Sequence, residues 1–174
     1  MIILFGLAGS GKSTQGQILA EKRGMKWLSV GEVLRGTGKF DKILKAGKLV
    51  DDDKVIELMS AEIKKARNEG KDVILDGFPR NLYQAEHIKE AITDDIKAVV
   101  YLEVPKEELY KRLELRGRVD DTKEAIERRF EIVEQNICSI LSLLESKGIK
   151  VMRLSGVGDI QEVTKRLEKN LWMK

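Results

Sequence analysis

The segment Gly6-Leu7-Ala8-Gly9-Ser10-Gly11-Lys12-Ser13 constrains this chain more than any other. Three glycines in six residues are costly to order inside a helix or strand, so they belong where the backbone must wrap tightly. The residues before them, 1–5, are all apolar, and those after, 13–22, carry helical spacing. A strand, a glycine wrap and a helix in that order build a phosphate loop. Backbone N–H groups and the helix N-terminus surround anionic oxygens there, Lys12 adds a point charge for the outer phosphates, and Ser13 offers a hydroxyl to Mg²⁺. The competing reading is a glycine turn followed by a solvated lysine.

A loop of this kind needs a parallel sheet behind it, and the rest of the chain supplies the pattern. Apolar, β-branched runs recur at residues 1–5, 25–29, 72–76, 97–103 and 149–154, each the length of a buried strand. Between them lie stripes at helical spacing, such as Val55, Met59, Ile63 and Ala66, or Ile126, Phe130, Val133, Ile137, Ile140 and Leu144. Alternating strands and helices predict an α/β fold: a five-stranded parallel sheet with helices on both faces and ligands at the carboxyl ends of the strands. At 174 residues with 42% hydrophobic content, one domain with one core is expected. The stretch 36–48 is the least hydrophobic between two helical patterns and reads as a mobile excursion, and 116–121 as a second, very short one. Thirty-two basic against 29 acidic side chains leave a formal charge of +3, too small and too interspersed to point to nucleic acid. One cysteine, Cys138, allows neither an internal disulfide nor a multi-cysteine zinc site, and favours a reducing compartment, hence the cytoplasm. No apolar run approaches a membrane span or a signal segment, so neither a membrane nor a leader is expected.

A second constellation ends the third strand run. Residues 72–80 read Asp-Val-Ile-Leu-Asp-Gly-Phe-Pro-Arg, which puts Asp76 at a strand end beside the phosphate loop, placed to hold a water of the Mg²⁺ shell. Arg80 leaves a proline-stiffened turn with a planar fork suited to phosphate. The plainer readings are a turn aspartate and a surface arginine. Other residues default to structural roles: His87 as a partly exposed helix residue, Cys138 as a small buried hydrophobe, and Trp27 and Trp172 as core or surface cover. Asp51, Asp52 and Asp53 read as the cap of a helix, and Lys64 and Lys65 as solvated face.

Taken in order, the phosphate loop, Leu28-Ser29-Val30-Gly31-Glu32-Val33-Leu34-Arg35, Gly47-Lys48-Leu49-Val50, Asp76-Gly77-Phe78-Pro79-Arg80 with Gln84, and Arg118-Val119-Asp120-Asp121 followed by Arg129 resemble the motifs of adenylate kinases along nearly the whole chain. The resemblance implies Mg²⁺-dependent, reversible phosphoryl transfer from ATP to AMP on a P-loop nucleoside-triphosphate fold. It implies a single domain over 1–174, with a core of 1–29, 51–115 and 122–174, a monophosphate-binding flap over 30–50 and a lid over 116–121. By position, Gly9, Ser10, Gly11, Lys12, Ser13, Thr14, Arg116, Gly156 and Val157 would hold ATP. Val30, Arg35, Val50, Gly77, Arg80, Gln84, Arg118 and Arg129 would hold AMP, with Gln84 on the adenine edge. Lys12, Arg80, Arg118 and Arg129 would carry catalysis, and Ser13 and, through water, Asp76 would meet the metal.

Three departures shape that expectation. Val30 stands where the family usually has threonine, and with Asn81 it keeps a UMP/CMP-type kinase open as an alternative. Only residues 36–46 separate Arg35 from Gly47, so the flap is reduced. Leu115-Arg116-Gly117-Arg118 leaves almost no lid insert, and without nearby cysteines no zinc is expected. From a different class, a non-catalytic ATP-binding regulatory module also stays open. The expected partners are ATP and AMP, with no nucleic acid or membrane, acting on a monomer.

Overall fold

A computed structural model describes residues 1–92, 96–118 and 121–172. The described elements run β1 (Ile2–Phe5), α1 (Lys12–Arg23), β2 (Lys26–Ser29), α2 (Val30–Gly36), α3 (Asp41–Lys45), α4 (Asp52–Asn68), β3 (Val73–Asp76), α5 (Leu82–Ile92), β4 (Ala98–Glu103), α6 (Lys106–Arg116), α7 (Lys123–Ser146), β5 (Val151–Ser155) and α8 (Ile160–Trp172). The five strands form one parallel sheet in the order β2-β3-β1-β4-β5. Each expected strand run is present, with its ends shifted by no more than a residue or two.

Strand alternation sorts the apolar side chains of β1 onto two faces. Ile2 and Leu4 join Leu19 and Ala20 of α1 and Val163 and Leu167 of α8. Ile3 and Phe5 face the larger cluster, with Val55, Met59, Ile63 and Ala66 of α4 and Ile137, Ile140, Leu141 and Leu144 of α7. Each fully buried side chain of this size contributes about 1.5–3 kcal/mol, and the two layers clamp the sheet from both sides. A third, smaller cluster of Leu7, Leu109, Leu113, Ile126 and Phe130 packs directly under the phosphate loop. It ties the loop to α6 and α7.

Helix ends carry the expected chemistry. Asp51 caps α4 by accepting from the Lys54 N–H at 3.2 Å, and Thr122 caps α7 by accepting from the Ala125 N–H at 3.2 Å. Lys64 and Lys65 are solvated, and Trp172 packs against the core edge under the Arg23 guanidinium, 4.5 Å from its ring centroid. His87 is half-buried and stacks on Tyr83 with ring centroids 4.1 Å apart.

One expectation needs correction. Cys138 is exposed, not buried. The α7 stripe turns inward at Ile137, Ile140, Leu141 and Leu144, and a residue one step from Ile137 is rotated about 100° round the helix, onto the solvent face. Within the stretch 36–48, α3 forms and its Leu44 is buried. Among the described residues, no helix is long and apolar enough to cross a membrane.

Candidate active site

The β1 carboxyl end leads straight into the phosphate loop, and glycine is needed there for space as much as for angle. Gly6 has φ +148°, and a Cβ on it would lie 2.5 Å from Ser10 Oγ and 2.8 Å from Leu102 O. Gly11, at φ +94°, enters α1, and no acidic residue occupies the first turn of that helix. Its N-terminal dipole is therefore uncompensated by side chains, the arrangement that attracts an anion. Lys12 folds back over the loop, its Nζ donating to Leu7 O at 2.8 Å and to Ser10 Oγ at 3.4 Å. Burial lowers the Lys12 pKa to about 8; Asp76 opposes that shift, while Arg80 and Arg116 reinforce it. An arriving phosphate would supply the missing counter-charge.

Register brings Asp76 to the same place. β3 pairs Asp76 with Leu4 of β1 and with Ser29 of β2, and Asp76, only 3% exposed, accepts from Ser13 Oγ at 2.6 Å. A hydroxyl and one carboxylate suit a small divalent cation held mainly by phosphates and water. Among the described residues no group of three or more His, Cys, Asp or Glu gathers as a protein-only metal cage.

Two clefts meet at this loop. The first is lined by Lys12, Ser13, Gly77, Arg35, Lys48, Arg80, Arg116, Arg118 and Arg129, seven cations around one space. Carboxylates bridge several of them. Asp121, whose side chain is 4% exposed, accepts from Arg116 Nε at 2.8 Å and Nη2 at 2.7 Å, and from Arg129 Nη1 at 2.9 Å. Glu32 pairs with Arg35 at 2.8 Å and with Arg118 at 3.5 Å. Arg80 Nε donates to Gly77 O at 2.8 Å; burial lowers the Arg80 pKa, with Asp76 opposing and Arg129 and Arg35 reinforcing.

The second cleft runs from Gly9, Ser10, Gly11, Lys12, Ser13 and Thr14 to Arg112, Gly156 and Ile160. Gly156 lies against the loop, where a Cβ would sit 2.7 Å from Val104 Cγ2 and 3.1 Å from Ser10 O. Val157 is exposed beside it. Arg112, absent from the sequence reading, donates to Gly156 O at 3.1 Å and to Glu108 Oε1 at 2.8 Å. Its signal was available: it precedes Arg116 by four residues, on the same face of α6. Asp121 and Glu32 were also quoted in motifs without a role.

Other expected monophosphate contacts lie deeper. Val30 and Val50 are sealed in the core beside the first cleft, while Gly31 and Leu49 line it. Gln84 is 1% exposed, its Oε1 accepting from Arg80 N at 2.7 Å and its Nε2 donating to Asp52 Oδ1 at 2.7 Å. Asn81 caps α5, its Oδ1 accepting from the Gln84 N–H at 2.8 Å. The stretch 36–48 is docked on α7: Arg129 Nη2 donates to Leu44 O at 3.0 Å and Arg128 Nη1 to Ala46 O at 2.7 Å. Of the 118–121 motif, Val119 and Asp120 lie outside the described residues.

The same length of chain matches a known family. The adenylate kinase family model covers residues 4–149. The adenylate kinase of Thermus thermophilus is 36% identical over 181 residues, spanning 95% of this chain and 94% of its own length. Those of Prochlorococcus marinus and Parabacteroides distasonis are 34% and 32% identical, over 93% and 96% of this chain and 91% and 95% of their own lengths. With the match running from β1 almost to β5 and the relatives aligned nearly end to end, the chain belongs to the adenylate kinase family of nucleoside monophosphate kinases.

Proposed function

We propose that the protein transfers the terminal phosphoryl group of ATP to AMP, giving two ADP, with ATP in the second cleft and AMP in the first. The observation that carries this reading is the meeting of two clefts at one phosphate loop: Lys12, Ser13, Arg116 and Arg118 line both, and Arg35, Arg80 and Arg129 line the first. Phosphoryl transfer asks little covalent chemistry of a protein; it asks for in-line placement and neutralisation of spread negative charge. In this reading Gly9, Ser10, Gly11, Lys12, Ser13 and Thr14 hold the ATP phosphates, with Gly156 and Val157 behind the base. Arg35 and Arg80 take the AMP phosphate. Arg118 and Arg129 clamp the group in transit, Arg116 steadies the ATP side, and Gln84 reads the base, with Val30, Val50 and Gly77 shaping its pocket. Mg²⁺, arriving with ATP, would neutralise phosphate charge, met by the Ser13 hydroxyl and, through water, by Asp76.

The segment 30–50 acts as the flap over AMP, and 116–121 as the lid. A monomer is the working species in this reading, and the lone cysteine supports the cytoplasm as its compartment. Asn81, an argument for a pyrimidine substrate, is spent on capping α5 and on Asp52, so AMP is the substrate read here. Assaying ADP formation from ATP with AMP, UMP, CMP, GMP or no monophosphate tests the reading. Turnover is expected to depend on a monophosphate and to be fastest with AMP. Turnover independent of any monophosphate, or fastest with UMP, would contradict it.

A further inference from the structure

Gln84 is held at both ends of its carboxamide, and by groups that cannot exchange roles. The Arg80 backbone N–H can only donate, and it meets Oε1 at 2.7 Å; the Asp52 carboxylate accepts, and it meets Nε2 at 2.7 Å. Turning the amide over would set N–H against N–H at one end and oxygen against oxygen at the other. Asp52 is itself fixed, since both its oxygens accept from Asn81 Nδ2 at 3.0 Å. The Asn81 amide is oriented in turn by the Gln84 N–H on its Oδ1 at 2.8 Å.

We propose that Asp52 is a specificity-determining positioning residue: it locks Gln84 in the one amide orientation that complements an adenine-type edge. The proposal rests on the reading of Gln84 as the base contact. A carboxamide has two N–H protons and two lone pairs, and the contacts above use one of each. What remains is one N–H beside one acceptor, in fixed order. Adenine and cytosine present an exocyclic N–H beside a ring acceptor. Hypoxanthine, guanine and uracil present the reverse, a carbonyl beside a ring N–H. With the phosphate anchored by Arg35 and Arg80, the base cannot turn round to compensate, and the wrong edge leaves buried polar groups unpaired. Because Gln84 is sealed, the base meets it only when the surrounding chain moves aside, and the amide is already oriented when that happens.

The unmodified protein provides one test: kcat/KM is expected to favour CMP over UMP, and AMP over IMP, by at least tenfold each. The two pyrimidines have the same size, so their ratio isolates the hydrogen-bonding order. Asp52→Asn removes the obligatory acceptor at this end, so that only the Arg80 N–H still opposes a turned Gln84 amide. It is expected to lower both ratios at least tenfold, through the monophosphate KM and not that of ATP, while Asp52→Glu, which keeps an acceptor, preserves more of them. Equal use of CMP and UMP by the unmodified protein, or unchanged ratios in Asp52→Asn with an unaltered circular dichroism spectrum, would overturn the proposal. Gln84→Leu separates this from the underlying reading. If it leaves the KM for AMP unchanged, Gln84 does not contact the base; if it raises that KM while Asp52→Asn changes nothing, only the role of Asp52 falls.

Discussion

Lys12 is charged at a cost that its own fold imposes. Burial and the neighbouring Arg80 and Arg116 guanidiniums bring its pKa to about 8 from 10.5, so without nucleotide the folded state holds this proton less firmly than the unfolded chain does. The penalty is present in full below about pH 8. It is lifted as pH rises from 8 to 10.5, the window in which the unfolded state binds the extra proton. Nucleotide-free stability, taken as the difference between unmodified protein and Lys12→Met in urea unfolding, should rise across that window; a flat difference would place the ammonium in solvent. Gln84→Leu breaks contacts at both ends of a buried amide at about 1–3 kcal/mol each. Steady-state kinetics should therefore show a KM for AMP raised tenfold or more, with a much smaller change for ATP. At this scale the loop residues and Asp76 were legible because glycine spacing and a strand end are local signals. Asp121 was not, because its role is to hold Arg116 and Arg129 together, and nothing in a linear motif says which carboxylate a guanidinium will choose.

Strands and long helices were readable from periodicity, since a buried strand and a striped helix announce their faces. The docking of 36–48 on α7 was not, because it runs through main-chain atoms that carry no sequence signature: the acceptors are Leu44 O and Ala46 O. Gly47 is the tightest point of that contact. Its φ is +67°, and a Cβ there would lie 2.7 Å from Ala125 O. Left-handed backbone alone costs a non-glycine residue about 1–2 kcal/mol, and the overlap adds to it. Gly47→Ala should lift this stretch from α7 and pull Arg129 away from its place, raising the KM for AMP and lowering kcat at least fivefold. Kinetics matching the unmodified protein would mean that the contact plays no part in turnover.

For the molecule as a whole, the short path from α6, ending at Arg116, to α7, starting at Lys123, leaves little chain to close over ATP. The arginines are instead set in advance by Asp121 and Glu32. Closure that is less complete excludes less water, so ATP alone should be hydrolysed slowly, at a rate abolished by Lys12→Met; phosphate release no faster than background would show that the site is closed by other means. The central claim is that two nucleotides meet at one loop and exchange a phosphoryl group between them. Product analysis by chromatography, with Mg²⁺, ATP and isotopically labelled AMP, tests it most directly. The expected result is two ADP for each ATP consumed, one of them carrying the label, from the unmodified protein and none from Lys12→Met. ATP consumed with the label left in AMP would contradict it.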